Sequence, residues 1–143
     1  MRELFKEQLA HLIKQRAWLE YSLKECQTIG IKETYNIDEF GKFETLCSRY
    51  ARAIDFLIRK VYRTIDMMEF EDGGTLLDVI NRATKRGLVD DVEELRKLKD
   101  LRNSIVHEYI EDELIELFAE VLEATPKIIE LLDRAIDYGS KIV

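Results

Sequence analysis

A chain of 143 residues with 46% hydrophobic and 36% charged side chains has the size and balance of one domain built around a single core. Its formal net charge of -7 excludes a wholesale nucleic-acid coat and confines any contact with RNA or DNA to a local basic patch. One proline and six glycines exclude Pro-rich linkers and point to helices joined by short connections.

Five helices are predicted in chain order. The first runs from about Glu3 to about Thr28, where Leu4, Phe5, Leu9, Leu12, Ile13, Leu19 and Leu23 recur at helical spacing and Gly30 stands as the cap. Its opening, "MRELFKEQLAHLIKQ", is charged and amphipathic, unlike a secretory signal. Asn36 and Asp38 are both candidate caps for a second helix reaching about Met68, with an apolar stripe from Phe43 to Met68. Arg49, Arg52, Arg59, Lys60 and Arg63 fall opposite that stripe, with Asp55 as the only acid between positions 49 and 63. After "FEDGG", Thr75 and Asp78 form a capping-box pattern for a short third helix that Gly87 ends. Its Arg82, Lys85 and Arg86, like the second-helix cations, are candidate phosphate-tracking residues, with a solvated charged face as the ordinary reading.

Asp90, with Glu93 three residues on, is the expected cap of a fourth helix, "DVEELRKLKDLRNSIVHEY". A fifth starts near Asp112 and reaches about Tyr138, with Thr125-Pro126 expected to kink or split it. No stretch alternates like an exposed strand, so the expected fold is all-α, a single antiparallel bundle of about five helices over residues 1–143. Cys26 and Cys47 lack metal-ligand spacing and read as buried thiols of a reducing compartment. No apolar run has the length of a membrane span, which points to a cytoplasmic protein.

The concentration of chemistry is in "LRNSIVHEY", Leu101 to Tyr109. At about 100° per residue, Leu95, Leu98, Leu101 and Ile105 share the core side, and Arg102 and Tyr109 lie along one line at its edge. Asn103 and His107, four apart, neighbour each other further round. Arg102 and His107 are about 140° apart, so one helix does not converge them; a second copy across a two-fold axis brings both into one cleft. Each residue also has an ordinary role: a histidine can complement a helix C-terminus, an arginine can form an ion pair and a tyrosine can sit at a core edge. Together, a forked permanent cation and a side chain that titrates near neutrality suit work on a phosphodiester. Glu111–Asp112–Glu113 reads as a helix start. No Gly-rich phosphate loop, nucleophile elbow or H-E-x-x-H motif is present, and no metal or cofactor is expected.

At Arg102-Asn103-Ser104-Ile105-Val106-His107-Glu108-Tyr109 the chain resembles the HEPN superfamily, and within it the HepT-like toxins, whose R-x4-H-x-Y pattern is matched in full. The resemblance in helix order spans essentially the whole chain, and this motif is its specific part. It implies a metal-independent endoribonuclease acting as a homodimer on RNA. Arg102 would hold the scissile phosphate, His107 would move the proton as the ribose 2′-hydroxyl attacks, and Asn103 would orient the phosphate or the histidine. Tyr109 would be the residue that a minimal nucleotidyltransferase (MNT) antitoxin adenylylates. The superfamily also contains non-catalytic members that bind a nucleotidyltransferase as its substrate-binding subunit, and that alternative stands beside the first.

Overall fold

The first apolar stripe closes as helix α1, Arg2–Ile29, in a computed structural model that describes residues 1–71 and 73–143. Phe5, Leu9, Leu12, Leu19 and Leu23 are buried, while Leu4 and Ile13 are left outside. Gly30, at φ 77°, ends the helix in a left-handed conformation that glycine adopts without steric cost, and its N–H donates to the Cys26 carbonyl at 2.9 Å.

Helix α2, Ile37–Phe56, starts at Asn36, whose side chain accepts from the Glu39 N–H at 2.8 Å while Glu39 accepts from the Asn36 N–H. This reciprocal box selects Asn36 over Asp38 as the cap. The helix passes through a π-helical segment, Leu57–Val61, into α3, Tyr62–Met68. Nothing in the apolar spacing announces the π segment. The extra residue in its turn shifts the helical phase, and Leu57, Ile58, Val61, Tyr62 and Ile65 all stay in the core.

Helix α4, Leu76–Lys85, carries the predicted capping box, with Asp78 accepting from the Thr75 N–H at 2.8 Å. Gly87, at φ 78°, ends it as predicted. Helix α5, Val92–His107, is capped by Asp91, which accepts from the Glu93 N–H at 2.9 Å. This corrects the expected cap, Asp90, whose carboxylate points instead to Arg134 at 2.7 Å and Lys127 at 3.2 Å. Those two cations hold the Asp90 carboxyl down to about 2, Arg134 foremost.

Helix α6, Glu111–Ile142, runs unbroken through Pro126, so the predicted split does not occur. Pro126 faces solvent, where water can reach the carbonyl left without its helical donor. Val121, Ile128, Leu131 and Leu132 on either side are fully buried, and the Thr125 hydroxyl donates to the Val121 carbonyl at 2.6 Å. Packing along both halves holds the helix in one piece.

The result is all-α, with α1 packed along α2 and α6, and α5 held between α2 and α6. Phe43 and Phe118 stack at 4.8 Å in the centre, with Tyr35 and Phe40 around them. Cys26 and Cys47 are buried free thiols, pushed up to about 11 and about 12 by burial. Among the described residues, no helix is long and apolar enough to cross a membrane.

Candidate functional site

Helix α5 is anchored before its motif begins. Leu95 and Leu98 are buried, and the Tyr50 hydroxyl, itself buried, donates to the Leu98 carbonyl at 2.8 Å. One turn on, Arg102 reaches α2. Its Nε and Nη2 both donate to Asp55 Oδ2, at 2.9 and 2.6 Å, and its Nη1 donates to Asn103 Oδ1 at 3.2 Å. The Arg102 side chain is 23% exposed, at the edge of the core face that the helical wheel assigns to it.

The missing partner in the motif is therefore Asp55, on another helix. Its sequence signal is its solitude: a lone acid in the basic run from Arg49 to Arg63. A carboxylate on two of the five guanidinium donors fixes the plane of Arg102 and leaves Nη1 on the Asn103 side.

Arg102 and Asp55 line an open groove of about 440 Å³ between α2 and α5, together with Arg52, Ile105, Val106 and Glu108. His107 is exposed and lies outside this lining. One copy of the chain thus brings Arg102 to Asn103 and Asp55 but not to His107, as the 140° separation on the wheel requires.

Tyr109 departs from the predicted placement. Helix α5 ends at His107, and Glu108 takes an extended conformation (φ -92°, ψ 125°). The Glu108 carboxylate then accepts from the Tyr109 and Ile110 N–H groups at 3.0 and 3.2 Å. Those two bonds, that from Ile110 foremost, hold its carboxyl below the usual range, while the Glu108 carboxylate raises that of its neighbour Glu113. The cause of the early stop is the helix that follows: Glu111, Asp112 and Glu113 occupy the first turn of α6, where acids favour a helix N-terminus. Tyr109 therefore does not continue the line of Arg102. It projects from the α5–α6 junction, 84% exposed, in a stretch of chain where Val106 and Ile110 are exposed too.

The other basic candidates divide. Arg82 and Arg86 both bond to Asp66, which is 1% exposed, with Arg82 at 3.2 Å; Arg86 also reaches Glu69 at 2.9 Å. They neutralise a buried carboxylate, so their expected phosphate-tracking role gives way to a structural one. Lys85 is exposed, as are Arg52, Arg59 and Lys60. Among the described residues, no three His, Cys, Asp or Glu side chains are grouped as a metal cage. No protein-family model, no curated protein and no solved structure matches the chain.

Proposed function

We propose that this chain is a HEPN-type ribonuclease toxin that cuts RNA without a metal ion at a cleft between two copies. The observation that carries the reading is Arg102 itself: a guanidinium fixed by Asp55, beside Asn103, on the wall of an open groove, five residues from an exposed histidine. The two functions occupy different sides of α5. A two-fold arrangement of two such helices supplies both to one phosphodiester.

In that cleft the ribose 2′-oxygen attacks phosphorus and its proton passes to His107. The bond from phosphorus to the 5′-oxygen breaks, and the leaving oxygen takes a proton from an imidazolium. The products are a 2′,3′-cyclic phosphate and a 5′-hydroxyl. Arg102 stabilises the charge that builds on the phosphoryl oxygens, and Asn103 orients Arg102 through their hydrogen bond. Tyr109 is the proposed target of a partner MNT-type nucleotidyltransferase. Its phenol, exposed at the α5–α6 junction, is open to a modifying enzyme. Adenylylation there adds phosphate charge and bulk next to Val106 and Ile110, where the second copy would pack.

A second reading has its own support. Asp55 occupies the fork of Arg102 in a single copy, as in a structural ion pair, which suits a non-catalytic subunit that binds a nucleotidyltransferase.

Labelled single-stranded RNA incubated with the protein and excess EDTA decides between them. The ribonuclease reading expects cleavage with cyclic-phosphate ends, reduced about 10²–10⁴-fold in His107→Ala and about 10²–10³-fold in Arg102→Ala. Intact RNA, or full activity in either folded variant, sinks it. Capture of a nucleotidyltransferase by a chain that leaves RNA intact selects the subunit. With a nucleotidyltransferase co-expressed, Tyr109→Phe should escape modification, read by mass spectrometry, and stay toxic.

A further inference from the structure

We infer that a second groove, between α1 and α2, binds single-stranded RNA through a base stacked at Trp18 and phosphates held by Lys14, Arg49 and Arg52, and leads the strand to Arg102. The identity of the ligand rests on the ribonuclease reading; the site itself rests on the following geometry.

The groove holds about 250 Å³ and is lined by His11, Lys14, Gln15, Trp18, Arg49 and Arg52. It contains three cationic side chains, an imidazole and no carboxylate. In a chain of net charge -7, that is an inversion of the local sign. Arg16, Arg82, Arg86, Arg102 and Arg134 are each paired with an acid. Among the described residues, no such pair involves Lys14, Arg49 or Arg52. Uncompensated cations on a concave wall are an electrostatic footprint for a polyanion.

Two of the lining residues also carry a buried polar atom with no hydrogen-bond partner, Nε of Arg49 and Oε1 of Gln15. One is a donor and the other an acceptor, and a small rotation of either side chain toward the groove offers it to a nucleobase edge or sugar hydroxyl. Trp18 supplies the flat surface. The residue is 51% exposed, with the Lys14 ammonium 5.2 Å and the Arg49 guanidinium 5.0 Å from the centroid, both over the ring. Arg49 Nη1 donates to the Trp18 carbonyl and to Ser22 Oγ, so a base stacks on the indole by displacing the mobile Lys14 side chain onto the neighbouring phosphate. An indole flanked by cations matches the platform-and-funnel chemistry by which proteins hold single strands without reading their sequence. A bare anion would use only the cations.

Arg52 joins the two sites. It lines this groove and the Arg102 groove alike, so a strand bound at Trp18 meets Arg52 before it reaches Arg102.

Trp18 is the only tryptophan, so its fluorescence reports this groove alone. The probe is a 2′-O-methyl oligouridylate, which lacks the attacking hydroxyl and is not cut. Titration into the intact protein should quench Trp18, less so as salt rises, whereas a duplex of equal length should not. In anisotropy with a labelled copy of the same oligomer, Trp18→Ala should weaken binding about 5- to 150-fold. Lys14→Glu should weaken it too and flatten the salt dependence. Unchanged fluorescence, equal quenching by inorganic phosphate, or unaltered affinity in both folded variants overturns the inference. The two readings fail separately. Quenching by the oligomer in a protein that leaves RNA whole keeps this groove and discards the ribonuclease. Cleavage of RNA with Trp18 fluorescence unmoved does the reverse.

Discussion

Two fully buried tyrosines along the same stretch of chain differ by one hydrogen bond. The Tyr50 hydroxyl donates to the Leu98 carbonyl, whereas that of Tyr62 is buried with no partner. Burial raises both phenols, which stay neutral and act as hydrogen-bonding groups only. Removing the Tyr62 hydroxyl removes a desolvated polar atom, so Tyr62→Phe should stabilise the fold by about 1 kcal/mol. Tyr50→Phe should destabilise it by about 1 kcal/mol and loosen α5 just before the motif. Urea unfolding of the two variants checks the opposite signs, and a loss of stability in Tyr62→Phe would contradict the missing partner. Periodicity marks Tyr50 as core, but nothing in the sequence distinguishes the satisfied hydroxyl from the orphan. The same holds for Arg102: its place at the core edge follows from the wheel, whereas its bond to Asp55, 47 positions away, depends on how α5 lies against α2.

At the scale of the helix, two glycines inside helices have opposite consequences. Gly41 in α2 has nothing within 4 Å of where a Cβ would stand. Gly139 in α6 has Leu9 Cδ2 at 2.7 Å and Phe5 Cζ at 3.0 Å from that point. Alanine gains about 1 kcal/mol of helix propensity at either place. Gly41→Ala should therefore raise stability by about that amount. Gly139→Ala must displace core side chains of α1, and overpacking of this kind costs about 1–3 kcal/mol, so the net effect should be destabilising. Thermal unfolding of the pair is the check; equal stabilisation by both would show that α1 yields to the extra methyl. Sequence reading placed the helices because apolar spacing, the Thr75–Asp78 capping box and the end glycines are local signals. Of the kink or split expected at Pro126 the split does not occur, because the burial that holds α6 together comes from other helices. Sequence reading misjudged the end of α5, where two adjacent helix signals overlap and the acids of α6 prevail.

For the whole molecule, the separation of Arg102 from His107 is the decisive feature. The exposed apolar side chains Val106, Tyr109 and Ile110 cluster at the same end of α5, where a second copy would complete the site. The protein should have about twice its 16.9 kDa chain mass in solution at micromolar concentration, measured by light scattering. Val106→Glu, a substitution at a half-exposed position, should yield a folded monomer that does not cut RNA. A monomeric parent chain, or a monomeric variant with full activity, would require Arg102 and His107 to act from one copy, against their geometry.

By itself the sequence determined the all-α class, the order of five helical segments (α2 through α3 being one continuous segment), the Thr75 cap, the end glycines Gly30 and Gly87 and most of the faces the helices bury. These follow from short-range periodicity and from side-chain-to-backbone hydrogen bonds within a few residues. It also determined that Arg102 and His107 stand on different sides of one helix, because the helical repeat is a constant. Only the tertiary structure decided which cations remain available to a ligand. Arg82 and Arg86 meet the buried Asp66 brought from elsewhere in the chain, while Lys14, Arg49 and Arg52 line the Trp18 groove without an acid. The reason is physical: helix formation responds to neighbours three or four residues away, whereas charge pairing depends on which surfaces the packing of whole helices brings within a few ångströms.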